Sequence, residues 1–216
     1  MKSPYNVVKD FEESIAEYAG SKYAVAVSSC TEALLLACAY WFEYRDFDKW
    51  RDETTRNIIS LPKRTYVGVP MSVINAGGKV HWRDEEWVGA YQLKPAPIWD
   101  SAKWLTTGIY KHLSGDDDKT MVCISLHWAK TLAVGWGGVI LTNDEEAVKW
   151  LKRARFDGRT EGVHPSEDTF DQRGWHCIMS PAQAAEALTR LSFLPKHNDP
   201  IPADGYPDLS KHKAFQ

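Results

Sequence analysis

The residue whose surroundings most suggest chemistry is Lys130. It lies in the run Ser125-Leu126-His127-Trp128-Ala129-Lys130-Thr131-Leu132-Ala133-Val134-Gly135-Trp136-Gly137-Gly138, between an apolar segment and a glycine-rich turn. A lysine placed this way is partly desolvated, which lowers its pKa and favours amine chemistry. A lone lysine is also an ordinary surface charge. His127 reads either as a ligand-stacking or hydrogen-bonding ring or as a packed loop histidine. Asp100 follows Pro97-Ile98-Trp99. A carboxylate in an apolar setting needs a cationic or N–H partner, and a protonated pyridine nitrogen would serve. The plainer reading is an exposed strand terminator. Ser28-Ser29-Cys30-Thr31 follows the apolar run Tyr23 to Val27. Free N–H groups and the helix dipole at such a point favour a phosphate. The same residues also read as simple N-caps.

These points need elements to position them. Val8, Phe11, Ile15 and Tyr18 recur at helical spacing, and Gly20 follows as a C-terminal cap. Tyr23 to Val27 reads as a buried strand, and a helix is expected from about Glu32 to Phe42. Further strands are expected at Asn57 to Leu61, Lys79 to Arg83, Pro97 to Asp100, Met121 to Ser125 and Gly138 to Thr142. Val67 to Ala76 reads as a helix, and Asp144 caps another running to about Arg155. Ser180-Pro181-Ala182-Gln183 is a capping box with proline at the first helical position. Asp46 to Arg56 is charged and reads as exposed. Alternating strands and helices imply an α/β fold, a three-layer αβα sandwich with a mostly parallel sheet. Ligands in such sheets bind beyond the carboxyl ends of the strands, where these three polar points could converge.

The chain has 216 residues, 44% hydrophobic and 25% charged, with a formal net charge of -3. That composition excludes global disorder and gives no general polyanion-binding signal, while a local basic patch would still leave nucleic acid open as a partner. The apolar runs are too short to cross a bilayer, and the N-terminus does not read as a secretory signal. The four cysteines form no CxxC pair and read as reduced core thiols of a cytoplasmic protein, with no metal site. Residues 1–194 read as one core. Residues 195–216, with Pro200, Pro202 and Pro207 and no periodicity, read as an extended or loosely packed tail.

An ordered series of segments resembles the DegT/DnrJ/EryC1/StrS sugar aminotransferases, fold-type I enzymes that use pyridoxal 5′-phosphate (PLP). Val8 to Gly20 is similar to the family's opening helix, and "YAVAVSSCTEAL" at Tyr23 to Leu34 to its phosphate segment. "LPKRTYVG" at Leu61 to Gly68, the strand from Gly77 to Asp84, and "WDSA" at Trp99 to Ala102 follow in the family's order. So do Ser125 to Gly138, Arg153 to Gly158, and "GWHCIMSPAQAA" at Gly174 to Ala185. Together they cover most of residues 8 to 193.

The resemblance implies that Lys130 forms the Schiff base with PLP and then shuttles the substrate proton. Asp100 would hold the pyridine nitrogen protonated. Ser125, Thr31 and the backbone at Cys30 would contact the phosphate, and Tyr66 would stack on the ring. The chain departs from the family at Cys30, where the family has glycine, and at Lys103, where a glutamine contacts the cofactor's ring oxygen. It departs again at His176 and Ile178, in a loop that in the family reaches the neighbouring subunit's phosphate. The family's small C-terminal domain is missing. A homodimer is implied, with an amino donor such as glutamate and a keto-sugar nucleotide or similar carbonyl as substrates. Two alternatives stay open. One is a PLP-dependent decarboxylase or lyase acting on an amino-acid-modified nucleotide or DNA, as would suit a compact genome such as a viral one. The other is a non-catalytic binding module of the same fold.

Overall fold

A computed structural model describes residues 5–44 and 57–215. The charged segment Asp46 to Arg56 lies outside the described residues. In chain order the elements are α1 (Asn6–Ala19), β1 (Tyr23–Val27), α2 (Cys30–Tyr44), β2 (Ile58–Pro62), α3 (Gly68–Asn75), β3 (Lys79–Arg83) and β4 (Tyr91–Gln92). There follow β5 (Ile98–Asp100), α4 (Ile109–Ser114), β6 (Met121–Ser125), β7 (Gly138–Thr142), α5 (Glu145–Ala154) and α6 (Pro181–Ser192). Two 3-10 turns, Leu209–Lys211 and Lys213–Phe215, end the described chain.

The helices stop and start where their ends are satisfied. Gly20 takes a left-handed conformation (φ 77°) that closes α1. The Asp144 side chain accepts from the Glu146 and Ala147 N–H groups at the start of α5, and Ser180 and Gln183 complete the capping box of α6.

The five-stranded sheet has the order β1-β7-β6-β5-β4, and β2 pairs with β3 beside it. Side chains alternate between two cores, as the strand period of two requires. Val25, Cys123 and Ile140 face one core with α2, α3 and α5. Ala24, Ala26, Val122 and Leu141 face the other with α1, α4 and α6. The three-layer sandwich follows from this double burial.

The expected mostly parallel sheet is corrected at the level of pairing. Three of the four pairings in the main sheet are antiparallel, and only β5 with β6 is parallel. The cause is β7, which runs against both its neighbours β1 and β6, together with the two-residue β4 at the far edge. β1, β5 and β6 therefore still point the same way. That common direction brings the three polar strand ends to one edge.

The tail carries no long helix, yet it is fastened to the core at several points. Thr107 N–H donates to the Lys196 carbonyl (2.9 Å), Ile201 N–H to the Lys103 carbonyl (2.9 Å) and Leu209 N–H to the Lys63 carbonyl (2.9 Å). Leu209 is buried. These contacts hold Lys196, Ile201 and Leu209 against the core.

Candidate active site

The ends of β1 and β6 meet across the first residue of β7. Gly138 pairs with Val27 on one side and Ser125 on the other. A Cβ built on Gly138 would lie 2.4–2.5 Å from backbone atoms of Ser29 and Cys30, so the loop into α2 crosses over this glycine with no room to spare. Gly138→Ala is expected to destabilise the fold by about 1–3 kcal/mol, because backbone must move to relieve the clash. Urea denaturation measures it.

A cavity of about 520 Å³ opens at this edge, within the usual range for small-molecule sites. Cys30 and Thr31 reach it from the first turn of α2, Asp100 from the end of β5 and Ser125 from the end of β6. His127 and Lys130 enter from the loop after β6, Tyr66 from the turn before α3, and Lys103 from the stretch after β5. The structure thus places eight of the nine expected site residues around one space.

The ninth, His176, expected at a neighbouring subunit's phosphate, does not line this cavity within one copy of the chain. Its Nδ1 is 2.9 Å from the Asp157 carboxylate. The flanking backbone holds it there: Trp175 N–H donates to Ala154 O (2.6 Å) and Cys177 N–H to Arg155 O (2.9 Å).

Capping and ligand access coexist at the start of α2. The Ser29 hydroxyl accepts from Glu32 N–H (3.2 Å), so serine is a cap. The Glu32 carboxylate in turn accepts from both Ser28 and Ser29 hydroxyls. Thr31 and Cys30, one step on, remain at the cavity.

Asp100 is 3% exposed. Burial pushes its carboxyl above the usual range, while the Ala102 N–H (2.9 Å to Oδ1), the Tyr91 hydroxyl and the Lys130 charge pull it back. Tyr91 is fixed by a 2.6 Å hydrogen bond to Thr65. Among the described residues no ion pair within 4.0 Å engages Asp100. Burial likewise pushes the Lys130 amine below its ordinary value, opposed by Asp100 and assisted by the charge on Lys103. The Cys30 thiol is pushed well up by burial and by Asp100, which keeps it a neutral thiol.

A buried carboxyl with a raised pKa binds a proton more tightly in the native state than in the unfolded chain. Stability therefore falls as pH rises through the carboxylate range, and above it the full cost is carried. Asp100→Asn removes that cost. In the cofactor-free protein at pH 7 it is expected to raise Tm by about 2 °C or more. The gain should vanish in acid below the ordinary carboxylate pKa, as a thermal scan at several pH values will show.

Three residues of the cavity carry no sequence signal that assigns them to it: Trp87, Trp136 and Tyr206. Trp136 comes nearest, since it stands within the glycine-rich turn. Tyr206 sits among tail prolines, where nothing periodic marks it. Its ring stacks on Trp87, with centroids 6.1 Å apart and planes 13° from parallel.

The DegT/DnrJ/EryC1/StrS aminotransferase family profile matches residues 1–98 and 90–199, nearly the whole chain. The chain belongs to that family. No curated protein sequence matches it. Among solved structures it is similar to AtS13 from Actinomadura melliaura, at 18% identity and TM-score 0.67, over 89% of this chain and 61% of that one. It is similar also to the sugar aminotransferase CalS13 from Micromonospora echinospora, at 14% identity and TM-score 0.66, over 87% and 60%. A GDP-4-keto-6-deoxymannose-3-dehydratase solved with a trapped PLP-glutamate geminal diamine matches at 20% identity and TM-score 0.65, over 88% and 61%. These likenesses establish the fold-type I sandwich of this DegT-family chain, which spans about 60% of the length of those structures.

Proposed function

We propose that this chain is a PLP-dependent enzyme in which Lys130 holds the cofactor and moves the substrate's proton. The observation that carries the reading is Asp100, a buried carboxylate without an ion-pair partner among the described residues, facing the same cavity as a desolvated lysine. Such a carboxylate suits a cationic ring nitrogen. The other donors suit the rest of the group. The start of α2 and the Ser125 hydroxyl fit a phosphate, and the Tyr66 ring fits a flat heterocycle. Bound there, PLP would supply an electron sink for negative charge developing at the substrate's carbon.

The protein's own residues would do the rest. Asp100 holds positive charge at the inner end of the cavity. Burial makes the Lys130 amine easier to deprotonate than an ordinary lysine, which suits it to take a proton from the substrate carbon and return it. Apolar walls at Leu34, Val69 and Trp87 exclude water from the exchange.

The proposed reaction is transfer of an amino group from a donor such as glutamate to a keto-sugar nucleotide or a similar carbonyl. Decarboxylation or elimination on an amino-acid-modified nucleotide or DNA is the second reading, favoured by the additional cation, Lys103, in the cavity. Incubation of the PLP-loaded protein with candidate amino acids separates the two. Recovery of pyridoxamine phosphate and a keto acid supports transamination. Carbon dioxide release with the cofactor unchanged supports the second, and neither product with any amino acid supports a non-catalytic module.

The proposal includes a homodimer in a reducing compartment. Trp128 and Trp136 are 71% and 64% exposed beside the cavity, which suits coverage by a second copy, and the four buried cysteines are unpaired. Among the described residues no helix is long and apolar enough to cross a membrane.

A further inference from the structure

Lys103 reaches the cavity that Asp100 and Lys130 also line. Its ammonium donates to the Pro202 carbonyl and lies 5.4 Å from the centre of the Tyr206 ring. Among the described residues no ion pair within 4.0 Å includes it. Its backbone is held as well: the N–H donates to Gly89 O (3.2 Å), and the carbonyl accepts from Ile201 N–H (2.9 Å). Pro202, Tyr206 and Ile201 all belong to the C-terminal segment. That segment is pinned on both sides of them. The Asn198 amide bonds to the Tyr18 hydroxyl (2.9 Å) and Leu105 O (3.1 Å), and Asp208 faces Lys63 (3.5 Å). The position of the ammonium is thus fixed before any ligand arrives.

An ammonium carries three protons, and Pro202 takes one. The cavity holds two lysines, Lys103 and Lys130, and one buried acid, Asp100. If Asp100 is committed to a cationic group, Lys103 is the cation without a counter-charge. Tyr206, over whose ring the ammonium lies, stacks in turn on Trp87, so an aromatic pair flanks the charge. Lys103 and Lys130 line the same cavity, so an anion bound there meets both charges.

We propose that Lys103, fixed in place by the C-terminal segment, binds the carboxylate of an amino-acid-like substrate next to Lys130. The proposal rests on the cofactor reading of Lys130 and Asp100 above. It assigns the carboxylate next to the reacting carbon of such a substrate a named cation in this chain. It also gives the segment around Tyr206 a part in substrate binding.

The test uses cofactor-free protein titrated with glutarate, which has carboxylates and no amine. Binding is followed by tryptophan fluorescence, since Trp87 and Trp136 line the cavity. A saturable change is expected, with affinity falling about tenfold or more in Lys103→Gln, the loss expected for one hydrogen bond to a charged group. Lys103→Arg should retain most of it, which guards against misfolding of the glutamine variant. Lys111→Gln, at an exposed pair with Asp116, should bind as the parent does. Absence of saturable binding in the parent, or equal affinity in Lys103→Gln, overturns the proposal. A third result is that Lys103→Gln changes only the pH titration of the chromophore in the PLP-loaded protein and leaves glutarate affinity unchanged. Lys103 would then serve the cofactor's ring oxygen, and the proposal would again be overturned. Glutarate should still bind Lys130→Ala, so failure of covalent cofactor capture and failure of the carboxylate site are separate results.

Discussion

Replacing Lys130 with alanine is expected to abolish covalent retention of PLP and to lower turnover of the amino-donor half-reaction by at least about 10²–10⁴-fold. That range is what a positioned proton-transfer group contributes, and here the same side chain is also the proposed nucleophile. Lys130→Arg should not rescue the loss. A guanidinium stays protonated, whereas burial keeps the Lys130 amine easier to deprotonate than an ordinary lysine. Single-turnover absorbance measurements with saturating donor read the effect. The fold should be unaffected, because Lys130 makes no buried ion pair among the described residues.

The second large effect is on stability, at the opposite side of β1. Among the described residues β1 is an edge strand, paired in its sheet with β7 and bridged on its far side at Val27 to Ile178. Ala26 turns its N–H and carbonyl to the open side, where exposed strand groups invite unwanted pairing. Two side chains meet them there. The Glu12 carboxylate accepts from Ala26 N–H (2.9 Å), and the Arg155 guanidinium donates to Ala26 O (2.6 Å) while pairing with Glu12 itself. The pair is nearly closed to solvent, at 4% and 5% side-chain exposure. Arg155 also reaches Glu161 (2.8 Å).

Arg155→Ala leaves the buried Glu12 with only the half-exposed Lys152 (3.4 Å) and orphans a backbone carbonyl, so it should cost about 3 kcal/mol or more. Against a total stability of about 5–15 kcal/mol, that brings the fold close to unfolding at ambient temperature. Lys149→Ala, which breaks exposed pairs with Glu145 and Glu146, should cost less than about 1 kcal/mol. Chemical denaturation of the two variants side by side checks the contrast.

How much of this architecture is legible in the sequence depends on how local its cause is. The capping box at Ser180, the cap at Asp144 and the glycine ending α1 are local hydrogen-bond chemistry, and each is legible. So are the three polar strand ends, because an apolar run ending in Asp100 or Ser125 marks its own end. Strand direction is not. β7 is buried on both faces, and nothing in Gly138–Thr142 says which way it runs. The two-residue β4 and six-residue α4 are too short for a period to show. The tail reads as loose from its residues because its order comes from distant partners: Lys63, Lys103 and Thr107. Tyr206 is hidden for the same reason. The position of His176 is set by backbone bonds of Trp175 and Cys177 to Ala154 and Arg155, partners outside its own motif.

The most direct measurement is chemical capture. The protein is loaded with PLP, reduced with borohydride and digested, and the peptides are weighed. A Schiff base at Lys130 predicts one modified peptide, carrying the cofactor's mass on that lysine and absent from Lys130→Ala. Modification spread over surface lysines, or none at all, would contradict it, leaving a family fold whose cavity does other work.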